Sequence, residues 1–234
     1  MQNKNSKDFF NYSVKHLGIP TTTLEGFDKY SQRSGNKFPL GMTPSIIEER
    51  QMNVAIMSVF DRLMMDRIIF LGTGIDSDIA NIINAQLLFL ESVDSKKPIS
   101  MYINSPGGGV YAGLGIYDVM QLVSPKIATV NCGLAASMGF VLMVAGEKGM
   151  RSSLRHARFM QHQPMGGADG QASDMEITVN EIKKLKKELY DIISHHTGQK
   201  YAKVEKDADR DHWMTAAEAK SYGCVDEILS RKNK

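Results

Sequence analysis

Residues 99–139, ISMYINSPGGGVYAGLGIYDVMQLVSPKIATVNCGLAASMG, hold the pattern that decides the fold. A short apolar run at 99–104 (ISMYIN) ends in Ser105-Pro106-Gly107-Gly108-Gly109, the composition of a strand that runs into a turn. Leu114, Ile116, Val119, Met120 and Val123 then recur at helical spacing, and 127–131 (IATVN) is a second strand. Two strands joined through a helix argue for a parallel pair, because parallel neighbours need a crossover of about that length. After the second strand a small-residue turn leads to Ser137 and an apolar helix.

The same alternation extends in both directions. Upstream, 54–65 is helical in character and 67–72 (RIIFLG) is a strand that ends in Gly. Ser77 then caps a helix with Ile79, Ile82, Ile83, Leu87 and Leu90 on one face. Downstream, 159–161 is a short strand. Ser173 and Glu176 form a capping box that opens a long amphipathic helix, with Ile182, Leu185, Leu189, Ile192 and Ile193 on one face and lysines on the other. It runs to about His196, where Thr197-Gly198 stops it. A last capping box, Thr215 and Glu218, starts a short helix that ends near Gly223. Helices and strands in this order make an α/β domain with parallel crossovers.

Bulk properties narrow the function. A length of 234 residues supports one substantial core, and 42% hydrophobic with 23% charged residues is the balance of an ordinary globular chain. The net charge of +2 is too small to argue for nucleic acid or an acidic membrane surface, and neither is expected as a partner. Residues 1–40 hold six Lys or Arg against three Asp or Glu, and the remainder holds 22 against 23, so the basic excess belongs to the N-terminal arm. That arm is polar and lacks a sustained apolar period. It reads as a flexible leader or pro-segment, which leaves 41–234 as a single domain. No apolar run follows the first lysines, so a secretory signal is not expected. The longest apolar stretch, 135–145, is about half of what a membrane span needs. Cys132 and Cys224 have no metal-ligand spacing and read as buried thiols of a reducing compartment. A cytoplasmic protein is the expectation.

Four features carry chemistry. Ser137 lies in Gly133-Leu-Ala-Ala-Ser137-Met-Gly139, after a strand and at the head of a helix, with Ala135 and Gly139 small enough for a tight bend. That is the logic of a nucleophile elbow, with a Ser that only caps the helix as the alternative. The glycines at 107–109 permit N–H groups to point into a cleft, as an oxyanion hole requires. A phosphate cradle is the rival, but the Lys and Ser/Thr of a P-loop are missing. His162, at a strand end, has the placement of a general base, in competition with His16, His156, His195, His196 and His212. The acidic run 205–213 (EKDADRDHW) offers several carboxylates to orient such a base, and spacing does not choose among them. Asp207, Asp209, Asp211 and Glu218 also match four positions of a calcium-binding loop, but His212 stands where that loop needs Gly.

In combination these residues are recognisable. YINSPGG (102–108), GLAASMG (133–139), HQPMGGADGQASD (162–174), HTGQ (196–199) and DRDHWMTAAEA (209–219) occur in the order of the signature blocks of the ClpP family, which 46–229 resembles along nearly its whole length. The resemblance implies a ClpP/crotonase-like fold, an α/β superhelix of repeated β-β-α turns with a protruding helical handle at about 166–196. It implies a serine endopeptidase with Ser137 as nucleophile, His162 as general base and Asp211 as orienting carboxylate. The backbone N–H groups of Gly108 and Met138 would form the oxyanion hole. No metal or organic cofactor is expected, since ATP is used by a separate unfoldase. The implied partners are two stacked heptameric rings of the chain itself, a hexameric AAA+ unfoldase of the ClpX or ClpA type, and unfolded polypeptide substrates.

The sequence departs from the family pattern at three places. It has one glycine more than the usual pair at 107–109, Arg155-His156 where Pro-Asn is frequent, and Gln161 in place of an apolar residue before His162. Two other functions fit parts of the pattern. A crotonase-type enzyme would act on acyl-CoA and rely on carboxylates, and a degenerate ring subunit would assemble without cleaving peptides.

Overall fold

A computed structural model describes residues 45–50 and 53–230. The leader assigned to residues 1–40 lies outside the described residues, as does His16. Two compact units divide the chain between Leu63 and Met64. In the first, β1 (Ser45–Arg50) and β2 (Asn53–Ser58) form an antiparallel hairpin with Arg50 opposite Asn53, and α1 (Val59–Met65) begins directly afterwards. The helix expected over 54–65 is therefore a strand for its first half. Val54 and Ile56 are β-branched, and their partner strand is supplied by the preceding segment, a pairing that the period of 54–65 alone does not report.

The second unit is built on a seven-stranded sheet. β3 (Ile68–Leu71), β4 (Ile99–Ser105), β5 (Ile127–Ala136), β6 (Arg151–Leu154) and β9 (Glu227–Leu229) run parallel in that order. Helix α2 (Ser77–Val93) connects β3 to β4 and α3 (Val110–Leu122) connects β4 to β5, as the crossover pattern predicts. α2 is capped by Asp76, whose Oδ1 accepts from Ile79 N–H at 2.9 Å, so the cap stands one residue before the expected Ser77. Its buried face is Ala80, Ile83, Leu87 and Leu90, whereas Ile82 is 49% exposed and lies off that face.

Strand β5 is longer than its sequence suggests. The small-residue turn expected after Asn131 is instead extended backbone up to Ala136. Gly133 N–H donates to Asn131 Oδ1 and Leu134 N–H donates to Asn104 Oδ1, so side chains accept from backbone where the ladder is irregular. β5 also changes partner along its length. Thr129–Asn131 pairs with β6, while Leu134–Ala136 pairs with β7 (Arg158–Gln161). The sheet therefore splits at the C-terminal end of β5, the kind of place where α/β sheets form their clefts. β8 (His212–Thr215) extends the branch antiparallel to β7.

Helix α4 (Met138–Val144) follows β5, and all seven of its residues are buried. A helix apolar on every side belongs inside a core, and Phe140, Leu142 and Met143 pack there with Ile99, Met101, Ile103 and Ile116. Helix α5 (Ala172–Thr197) starts one residue before the expected cap, so Ser173 is helical and makes no capping bond. Gln171 is the N-cap, without a side-chain hydrogen bond. Its C-terminal half buries Leu189, Tyr190 and Ile193, and Gly198 ends it in the left-handed conformation. Its N-terminal half leaves Ile177 at 69% exposed. α6 (Tyr201–Asp207) and α7 (Ala216–Tyr222) complete the unit, the latter with the expected Thr215–Glu218 capping box and Gly223 at its end. Cys132 is half-buried, Cys224 is buried, and both are free thiols.

Candidate active site

Ser137 stands between β5 and α4 with φ 53° and ψ −124°, one of two positive-φ residues other than glycine among those described. Such a conformation costs about 1–3 kcal/mol and persists only where its surroundings over-determine it. Here Ser137 N–H donates to Met160 O at 2.9 Å, and its carbonyl accepts from Phe140 and Val141 at the head of a buried helix. Gly139 is packed so closely that an added Cβ would lie 2.9 Å from Ser105 O. The Ser137 side chain makes no capping hydrogen bond, so the hydroxyl is left for another partner.

That partner is His162, just past the end of β7. Its Nε2 lies 3.0 Å from Ser137 Oγ, and its Nδ1 lies 3.0 Å from Asp211 Oδ1. An ionised carboxylate only accepts, so Nδ1 carries the proton toward Asp211 and Nε2 of the neutral ring accepts from the serine hydroxyl. Strand pairing produces this arrangement. β7 and β8 are antiparallel with Gln161 opposite His212, which sets His162 and Asp211 at adjoining strand ends. His162 is largely buried, at 15% side-chain exposure, whereas Asp211 is 60% exposed.

The glycine loop closes the third side. Gly107 has φ 88° and Gly108 φ 153°, values that favour glycine. A Cβ on Gly107 would lie 2.7 Å from Ser137 Cβ and 2.8 Å from Met138 N, so the loop rests against the serine turn. Gly107 N–H donates to Ser105 Oγ, Gly109 N–H donates to Ile75 O, and Gly107 O accepts from Ile75 N–H. Gly108 thus sits on a loop whose flanking groups are committed to the framework. Gly109, with φ −59°, holds a conformation open to any residue, so the third glycine adds no freedom that the loop uses.

Beside Ser137 and His162 is a small cavity with a mostly apolar wall that includes Val110, Phe140, Val141, Leu189 and Ile193. It suits an apolar side chain next to the hydroxyl. Gln161 also lines it, and its Nε2–H donates to Tyr222 Oη at 3.1 Å. Sequence reasoning singled out Gln161 only as a departure and missed Tyr222, because 61 positions separate the two.

The other candidates are occupied elsewhere. His195 and His196 end α5, and His212 packs near the Tyr222 ring. Asp207 accepts from Lys203 and Tyr222, and Glu218 closes the capping box, so the four positions of the calcium-like pattern do not converge. Among the described residues no group of three acidic, His or Cys side chains is placed to hold a metal ion.

Comparison with known proteins returns a consistent picture. The family model described as Clp protease matches residues 50–232. A protein of Bacteroides fragilis (strain YCH46) named ATP-dependent Clp protease proteolytic subunit is 59% identical, over 96% of this chain and 99% of its own length. A protein of Porphyromonas gingivalis (strain ATCC BAA-308 / W83) with the same name is 54% identical, over 97% and 99%. A third, ATP-dependent Clp protease proteolytic subunit 1 of Salinibacter ruber, is 50% identical over 85% of each chain.

Proposed function

The chain belongs to the Clp protease family, and on that premise we propose that Ser137, His162 and Asp211 are the catalytic triad of a serine endopeptidase, the proteolytic subunit of an ATP-dependent protease. The observation that carries this reading is the continuous hydrogen-bonded series from Ser137 Oγ through His162 to Asp211, with both links at 3.0 Å. His162 Nε2 takes the proton as Ser137 Oγ attacks the peptide carbonyl. Asp211 holds the ring in orientation and stabilises its charged form. The N–H groups of Gly108 and Met138 receive the developing oxyanion, a contribution of about 10²–10³ per donor in such sites. His162 then protonates the leaving amine. Water, with its proton drawn off by His162, releases the acyl group from Ser137. These steps use only side chains, backbone amides and water, and ATP serves a separate unfoldase.

The working form is two stacked heptameric rings that enclose the sites, fed with unfolded chains by a hexameric AAA+ unfoldase of the ClpX or ClpA type. Within a peptidase domain at 41–234, α5 is the handle (about 166–196). Met175, Val179 and Ile182 recur at helical spacing in its N-terminal half and form an apolar stripe suited to the opposite ring. None of the helices of the described residues is long and apolar enough to cross a membrane. Residence in the cytoplasm fits an ATP-driven partner.

Sedimentation and a fluorogenic-peptide assay together test this reading. A particle of about 14 chains of 26.0 kDa each, with hydrolysis that disappears in Ser137→Ala at unchanged particle mass, is expected. A particle that assembles but hydrolyses no peptide, alone or with an unfoldase, contradicts it.

A further inference from the structure

We propose that Gln161 is a positioning residue for the His162–Asp211 pair, acting through the Tyr222 hydroxyl and the Asp207 carboxylate; the proposal rests on the triad assigned above. Gln161 immediately precedes His162 and is 1% exposed. Its Nε2–H donates to Tyr222 Oη at 3.1 Å, and Tyr222 O–H donates to Asp207 Oδ2 at 2.9 Å. Asp207 closes α6 and also accepts from Lys203. Four residues later the chain reaches Asp211. The link therefore joins the residue before the base to the start of the turn that carries the acid.

A second tie spans the same gap from the other side of His162. Gln163 N–H donates to Ala208 O at 2.7 Å, and Gln163 Nε2–H donates to Asp209 O at 2.9 Å. The base is thus flanked by two glutamines, both braced to 207–209. The braces matter because Asp211 is 60% exposed, so packing does not fix its position.

Proton bookkeeping sets the direction of the chain of bonds. A carboxylate only accepts, so the single phenolic proton of Tyr222 is committed to Asp207, and Tyr222 Oη must accept from the Gln161 amide. Burial pushes the Tyr222 phenol up, and Asp207 adds to this, so the proton stays on the ring. Burial alone would raise Asp207, but the hydrogen bonds from Lys203 and Tyr222 outweigh it and keep the carboxyl below its ordinary value. With the amide so oriented, Gln161 Oε1 is buried without a hydrogen-bond partner. An unpaired buried carbonyl is a cost that an apolar side chain of equal size would remove. Gln161 is thus a poor choice for packing and a useful one for its N–H.

The test uses the assembled protein with three variants, Tyr222→Phe, Gln161→Met and the double variant, beside wild type and Ser137→Ala. Steady-state peptide hydrolysis and thermal midpoints are the readouts. Tyr222→Phe removes only a hydroxyl, and Tyr222 does not line the cavity beside Ser137. It should lower kcat between about threefold and thirtyfold, the scale of a small misplacement of a catalytic group, with KM within about twofold of wild type. Gln161→Met should lose kcat similarly while its thermal midpoint holds or rises. The double variant should fall no further than the worse single one, since either change cuts the same link. Unchanged kcat in Tyr222→Phe, independent multiplicative losses in the double variant, or losses of kcat that track losses of thermal midpoint would each overturn the proposal. Should Gln161→Met not assemble, Tyr222→Phe alone decides. Hydrolysis in the wild type that survives Ser137→Ala would instead remove the triad reading, and the brace with it.

Discussion

The two ends of the proposed triad are held by different physics. At the nucleophile end, Ala135, Ala136 and Met138 are buried around Ser137, the following helix is apolar on every side, and Gly107 lies too close for any side chain. At the acid end, Asp211 is mostly exposed, and its place follows from strand pairing and from hydrogen bonds made by Gln161 and Gln163. Packed cores resist displacement because every neighbour must move, whereas a braced turn yields when one bond is cut. A site built this way has a fixed attacking atom and an adjustable base–acid pair.

The largest effect should fall at the exposed end. Asp211→Asn keeps the shape of the side chain but removes its charge and lets an amide N–H face His162 Nδ1, which holds the ring in the wrong tautomer, so kcat should drop about 10⁴-fold, the scale of that change in serine triads. Its thermal midpoint should stay within about 2 °C of wild type, as befits an exposed position. Calorimetry beside peptide kinetics checks both halves, and a large stability loss would break the contrast.

Gly107→Ala should act in the opposite manner. The new Cβ would lie 2.6 Å from Ala136 O at a backbone angle that L-residues avoid. Overpacking of this kind costs about 1–3 kcal/mol, and the displaced loop should lower kcat by about 10²-fold or more. Activity and stability should fall together. A variant as stable as wild type would show that the nucleophile end is looser than its packing implies.

A smaller effect is expected at the base of α5, remote from the chemistry. There Arg151 pairs with Asp226 at 2.7 Å and donates to His196 O, and His196 Nε2 lies 3.1 Å from Tyr117 Oη. Burial, then His195 and Arg151, push His196 down to about 4 from 6.5. The unfolded chain therefore binds a proton at this position before the folded one does. Stability from this group is full above about pH 6.5 and is lost as pH falls toward about 4. Thermal midpoints at pH 7.5 and 5 should differ by about 2–4 °C more in wild type than in His196→Gln. An equal difference in the two proteins would contradict this.

The contrast also governs how much could be read from the sequence. Local signals served well. The 99–131 crossover, the Thr215–Glu218 capping box and the stop at Gly198 all follow from periodicity or from a side chain within a few positions, and the structure has each of them. The hairpin at β1 and β2, and the short strands β6, β8 and β9, went unread because their stability comes from partners elsewhere in the chain. The capping box expected at Ser173 does not form, and the N-cap stands two residues earlier, at Gln171, the margin within which helix starts are decided by tertiary context. The site divides in the same way. Ser137 with its small neighbours is a local pattern. Asp211 was selected among neighbouring acids by family resemblance, not by spacing, and Tyr222 had no local signal at all.

Fluorophosphonate labelling of the purified chain, read by intact mass beside Ser137→Ala, reports whether Ser137 is an activated nucleophile. One adduct is expected on the wild type, none on Ser137→Ala, and a labelling rate much reduced in Asp211→Asn. An adduct that persists in Ser137→Ala, or a wild type that stays unlabelled even with an unfoldase present, would contradict the assignment of Ser137 as an activated nucleophile.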